Sequence, residues 1–92
     1  MQIEFDPAKR SATLDARGLD MAAAGRVFEG PTLTVEDDRA DYGETRYFTL
    51  GLLDGRMVVL VWTPRGAGRR IISMRKANGK EQKAYGPRLR RS

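Results

Sequence analysis

The sequence predicts an α+β domain: a small, mostly antiparallel sheet with two helices before it and one after it. Three observations lead there. Apolar residues recur at helical spacing ahead of Gly30, they alternate or run together between residues 32 and 74, and a capping-box pair, Asn78 and Glu81, follows the last extended run. Helices, then strands, then a helix is the order of an α+β fold whose helices lie mostly on one sheet face. The 92 residues make one domain, residues 1–92. A chain of this size buries only about 60% of the surface its unfolded form exposes, so the core is small.

Residues 2–5 read as a short opening strand. Asp6 and Pro7 then start a helix, because the Asp6 carboxylate can accept from free N–H groups and proline at the first helical position has no N–H to lose. The helix runs to Ala16 or Arg17, and Gly18 ends it. Asp20 caps a second helix whose Met21, Ala24, Val27 and Phe28 form a core-facing stripe, closed by Glu29, Gly30 and Pro31. Residues 32–35 make a short strand, followed by the acidic loop EDDRADYGE at 36–44. Strands at 45–53 and 56–63 flank Asp54 and Gly55, a pair that accepts the positive φ of a tight hairpin. The run MVVLVW, 57–62, is apolar at both alternating sets of positions and reads as a central strand. After the turn PRGAG, 64–68, comes RRIISMRKA, 69–77. Its alternation puts Arg69, Ile71, Ser73 and Arg75 on one face and Arg70, Ile72 and Met74 on the other, taken as the helix-covered one. A last helix spans 79–85, Gly86 and Pro87 stop it, and the basic tail 87–92 is expected to fray.

Charge is divided unevenly along the chain. Residues 1–54 carry 6 Lys/Arg and 11 Asp/Glu, a charge of −5, whereas residues 55–92 carry 11 Lys/Arg and the single Glu81, a charge of +10; together they give the net +5. Such a field favours phosphate backbones or an acidic protein partner. With no cysteine and no histidine, disulfides, thiolate metal sites, imidazole ligands and an imidazole general base are excluded. No apolar run approaches ~18 residues, and the opening MQIEFDPAKR has no signal-peptide core. A soluble, cytoplasmic chain with no membrane segment is therefore expected.

Several polar groups stand out. Arg75 on a rigid strand suits a phosphate, since its planar fork donates two hydrogen bonds and its charge does not titrate; a strand-end arginine reaching into water is the alternative. Lys9, Thr13 and Arg17 fall on one stripe of the first helix, a pattern that solvated faces also show. Glu36, Asp37, Asp38 and Asp41 lack the glycine and terminal glutamate of a calcium loop and read as a solvated loop. Glu44 beside Arg46 offers an ion pair at the start of a hairpin strand, as a base or a positioning group. Tyr47 and Trp62 offer stacking surfaces, with core packing the plainer duty for Trp62. There is no P-loop and no nucleophile elbow.

These pieces line up in one order. The segment F-D-P-A-K at 5–9, Gly18, the A-x-x-V-F of 24–28 with Pro31, G-E-T-R at 43–46, L-V-W-T at 60–63 and R-I-I-S-M-R-K-A at 70–77 together resemble the BrnT family of toxins. The resemblance implies a small ribonuclease with a RelE-like fold that cleaves RNA, arrests translation and is silenced by a BrnA-like antitoxin, with operator DNA bound only through that antitoxin. It places the family's polar signature on Lys9, Glu44, Arg46, Arg70, Ser73, Arg75 and Lys76. Thr13 and Arg17 stand where the family commonly has asparagine and histidine before the glycine; Arg17 can neutralise a phosphate but cannot shuttle protons.

On this reading Lys9, Glu44, Arg46 and Arg75 are the candidate catalytic residues, and Arg17, Arg70, Ser73 and Lys76 the candidate RNA-binding residues, with no metal and no cofactor. The 2′-hydroxyl attacks the adjacent phosphorus, and cations aimed at the developing charge supply the main catalytic effect. Two other readings stay open: a non-catalytic RNA- or DNA-binding module, and a protein-interaction module that docks an acidic partner.

Overall fold

The computed structural model describes residues 2–90. Strand β1 (Ile3–Glu4) leads into α1 (Pro7–Arg17), a 3₁₀ turn (Met21–Ala23), α2 (Ala24–Glu29) and strands β2 (Thr32–Glu36), β3 (Tyr47–Leu53), β4 (Arg56–Arg65) and β5 (Gly68–Lys76), and α3 (Gly79–Arg90) closes the chain. Local chemistry sets these boundaries. The Asp6 carboxylate accepts from Ala8 N at 2.9 Å, and Gly18, at φ 68°, ends α1 by donating to Leu14 O. Asp20 caps the 3₁₀ turn, accepting from Ala22 N at 2.9 Å, so the predicted second helix begins as that turn. Asp54 and Gly55 take φ of 52° and 80°, the two positive values that a two-residue hairpin needs.

The five strands lie in the order β1-β5-β4-β3-β2. Neighbours from β2 to β5 pair antiparallel, but β1 runs parallel to β5, so the sheet is mixed rather than mostly antiparallel as predicted. Alternation marks a strand without naming its neighbour, and β1 finds its neighbour only after nearly the whole domain has intervened.

One sheet face carries the main core: Leu19, Met21, Ala24 and Val27 pack on Leu53, Val58, Leu60, Trp62, Ile71 and Met74. Trp62 serves this core, with Nε1 donating to Thr49 Oγ1 at 2.8 Å and its ring against Phe28 and Tyr47. On the other face Leu89 of α3 packs with Leu50, Met57, Val59 and Ala77.

Two expectations are corrected here. Helix α3 does not stop at Gly86 and Pro87 but continues through them to Arg90. Pro87 forgoes one intrahelical hydrogen bond, while burial of Leu89 to 2% exposure contributes about 2 kcal/mol and holds the last turn down. The expected frayed tail is thus an anchor as far as Arg90, and residues 91–92 lie outside the described residues. The second correction concerns β5. Val61 pairs with Ser73 and Trp62 with Ile71, which leaves Ile72 as the extra residue of a bulge. A bulge reverses the phase of alternation. Ile71 and Met74 therefore both enter the core, Arg69 lies over the Phe28 and Trp62 rings, and Arg70 crosses to the face of Ser73 and Arg75.

Candidate nucleic-acid interface

Helix α3 covers only part of its sheet face, around Leu50, Met57 and Val59. The uncovered part can be read from the pairing register. Phe48, Val61 and Ser73 form one row across the sheet; Leu50, Val59 and Arg75 form the next. Arg46 precedes Tyr47, the partner of Trp62, and so lies level with Thr63, whose partner is Arg70. Period-two alternation then places Arg46, Arg70, Ser73 and Arg75 on this one face.

They do not converge on one point. Arg46 and Arg75 are two strands and four residues apart, about 16 Å between Cα positions at ordinary strand spacing, and each guanidinium is held locally. Arg46 Nε donates to Glu44 Oε2 at 3.1 Å and its guanidinium lies 4.1 Å from the Tyr42 ring centre. The Arg75 fork is bidentate on Glu81, with Nη1 to Oε1 at 2.8 Å and Nη2 to Oε2 at 2.9 Å, and Nη1 also reaches Lys76 O at 3.3 Å. Arg70 stands 3.7 Å from Glu4. Arg46 and Arg75, both candidate catalytic residues by sequence, are thus separate stations on a shared face and not one centre.

Lys9 and Arg17 belong to another station. β1 covers only Arg69 and Arg70 of β5, and beyond it α1 lies along the strand's edge. There Lys9 Nζ donates to Ile72 O at 3.3 Å and Arg17 Nη1 to Met74 O at 2.8 Å, so two cationic side chains satisfy carbonyls that a neighbouring strand would otherwise take. With Thr13, Ile72 and Ser73 they line a cleft of about 310 Å³. Ser73 thus links this cleft to the sheet face that carries Arg75. Lys76 is not gathered with the others: it pairs with Val58 and lines a separate depression with Asp54, Arg56 and Arg90.

Three functional-looking groups escaped the sequence reading. The sequence marks Glu81 as a helix cap alone, and that cap forms: Glu81 N donates to Asn78 Oδ1 and Asn78 N to Glu81 Oε1, both at 2.8 Å. The same carboxylate holds Arg75, so the start of α3 mounts the arginine. Asp37 and Arg39 form the second group. Asp37 is not a solvated loop residue but 4% exposed, bound by Arg39 Nε and Nη2 at 2.8 and 2.9 Å, with the Tyr42 hydroxyl at 3.3 Å. Arg39 in turn lies 4.5 Å from the Phe48 ring centre. The third is Tyr85 on α3, which rims a cavity that also contains Arg39 and Arg75. The Asp37-x-Arg39 spacing was the available signal.

These pairings hold the charges fixed. The Arg39 hydrogen bonds keep the Asp37 carboxyl below the usual carboxylate range and push the Arg39 guanidinium further up. The Arg75 hydrogen bonds lower Glu81 in the same way and raise Arg75, while the nearby charge of Arg39 works against it. At neutral pH the pairs of Asp37 with Arg39 and of Glu81 with Arg75 therefore stay ionised. Its carboxylates Asp37, Glu44 and Glu81 are each engaged by an arginine.

Among the described residues no helix is long and apolar enough to cross a membrane. A search among curated proteins finds no match. The family model described as the ribonuclease toxin BrnT of type II toxin-antitoxin systems matches residues 5–81. That match spans the α1 cleft, the Arg39 and Arg46 loop, all of β5 and the start of α3, and the chain belongs to the BrnT family of ribonuclease toxins.

Proposed function

We propose that this chain is an endoribonuclease toxin with a RelE-like architecture. It cuts RNA on the open sheet face without a metal, arrests translation, and is neutralised in the cytoplasm by a BrnA-like antitoxin, through which alone it meets operator DNA. The observation that carries the proposal is the mounting of Arg75. Glu81 grips one edge of its fork, the side chain is 41% exposed, and Nε stays outside the pair. A guanidinium so held needs little reorganisation to donate to a phosphoryl oxygen.

The scissile phosphate sits at Ser73 and Arg75. The 2′-oxygen bonds to phosphorus as the bond from phosphorus to the 5′-oxygen breaks, leaving a 2′,3′-cyclic phosphate and a 5′-hydroxyl. Arg75 stabilises the charge on the phosphoryl oxygens. Lys9, reaching over the edge of β5 beside Ser73, donates a proton to the departing 5′-oxygen, and the 2′-proton passes to water. Arg46 and Glu44, about 16 Å away by strand spacing, hold a flanking nucleotide instead of the reacting one. Arg17 and Arg70 add positive potential on either side. Lys76, the last residue of β5 and part of the separate depression, adds only longer-range positive potential.

Metal independence rests on the donor set: the chain has no histidine or cysteine, and the carboxylates of the face are tied to arginines. Purified protein should therefore cleave RNA equally well in excess EDTA, and loss of cleavage that added magnesium restores would reject this part. Induced expression in a bacterial host should stop growth, and co-expression of a cognate antitoxin should restore growth. Unimpeded growth with full-level folded toxin would reject the toxin reading.

A further inference from the structure

Arg39 and Arg75 share a cavity of about 270 Å³, with Phe48, Leu50 and Val59 among its apolar lining residues and Tyr85 at its rim. Neither arginine is exhausted by its carboxylate. Arg39 uses Nε and Nη2 on Asp37 and keeps the edge that contains Nη1. Arg75 uses Nη1 and Nη2 on Glu81 and keeps the edge that contains Nε. A guanidinium carries five N–H donors in one plane, so each still offers two parallel donors. The two cations also repel across the cavity, and a bound group with negative charge would relieve that.

The geometry points to a subsite for one guanine of the bound RNA, with its O6 and N7 edge on Arg39 and its phosphate on Arg75. This inference rests on the ribonuclease reading and adds a sequence preference to it. The apolar lining, Phe48, Leu50 and Val59, suits a planar ring placed beside the phosphate that Arg75 takes. Apart from the Tyr85 hydroxyl and the Glu81 carboxylate, which Arg75 already engages, the polar groups of the walls are guanidinium donors. Adenine and cytosine would bring an amino group against them, whereas guanine presents two adjacent acceptors, the match for an arginine fork. The Arg39 guanidinium lies over the Phe48 ring, 4.5 Å from its centre, and this contact together with the Asp37 pair positions its outer edge.

The test uses uncleavable 2′-O-methyl oligouridine carrying one central guanine, 7-deazaguanine, adenine or abasic nucleotide, with binding read by fluorescence anisotropy at one ionic strength. The guanine probe should bind about tenfold tighter than the adenine and 7-deazaguanine probes, and the abasic probe should bind no better than those two. Arg39→Lys, which keeps the charge but loses the fork, should bring the guanine to adenine ratio close to one. Equal binding of guanine and adenine, abasic binding equal to guanine, or no binding of any probe overturns the subsite. Cleavage of ordinary RNA is scored separately. Cleavage without guanine preference removes the subsite alone, and guanine preference without cleavage removes the nuclease reading and keeps the subsite.

Discussion

Glu81→Gln isolates the link between the start of α3 and Arg75. The substitution keeps an oxygen for Asn78 N but removes the charge that grips both Nη atoms of Arg75 at 2.8 and 2.9 Å. An exposed ion pair contributes about 0.2–1 kcal/mol. This one is bidentate and only partly exposed, 41% on the arginine and 22% on the glutamate, so about 1–1.5 kcal/mol is expected. For a domain of this size that lowers the melting temperature by roughly 5–10 °C. Freeing the arginine to sample rotamers should slow RNA cleavage about two- to tenfold. The pH dependence carries an independent signature. Arg75 lowers the Glu81 pKa in the folded state, so the pair's stabilisation is complete above the unfolded value of about 4.3 and is lost as pH falls through the lowered folded value. The variant should lack that acid-dependent part, and the two melting curves should approach each other at low pH. Thermal melts by circular dichroism across pH, with cleavage rates at neutral pH, measure all three effects. A variant that melts and cleaves like the parent protein would refute the mounting role.

Other perturbations address other parts of the account. Leu89→Ala should destabilise by about 2–4 kcal/mol in urea denaturation, since Leu89 is 2% exposed; a parental midpoint would mean that the last turn of α3 is not anchored. Asp20 is held at about 2, chiefly by its hydrogen bond from Arg10, against an unfolded value near 3.9, so its stabilisation is present above about pH 4 and lost as pH falls toward 2. With a side chain 34% exposed the contribution after solvent screening is about 1 kcal/mol. Asp20→Asn keeps a capping side chain and should erase that acid-dependent part of the urea midpoint. Gly55→Ala, at φ 80°, should cost about 1–2 kcal/mol by forcing a Cβ into left-handed backbone; an unchanged melting temperature would contradict the hairpin geometry.

Features written in short-range chemistry were legible before the structure. Asp6 with Pro7, Asp20, Asn78 with Glu81, and Asp54 with Gly55 each act within a few residues of themselves, and the caps and hairpin stand where those residues stand. Features that depend on long-range partners were not. The extra residue at Ile72 looks like ordinary strand, and only pairing with Val61 and Trp62 reveals that it reverses the alternation of Arg69 and Arg70. Pro87 reads as a stop because propensity is local, whereas Leu89 is drawn down by Leu50, Met57 and Val59 from other strands. The acidity of 36–44 hid Asp37, whose burial depends on Arg39 folding back over it. For the site, residue type singled out Arg46 and Arg75, but both their shared face and their separation on it follow from register. The carboxylate partner of Arg75 was legible only as a helix cap.

The most direct test of the open-face account is the single-turnover rate of RNA cleavage by folded Arg75→Ala. Loss of a preorganised donor to the phosphoryl oxygens should slow it by about 10²–10³-fold, with thermal melts confirming the fold. Cleavage by that folded variant at the parental rate would place the chemistry elsewhere on the molecule.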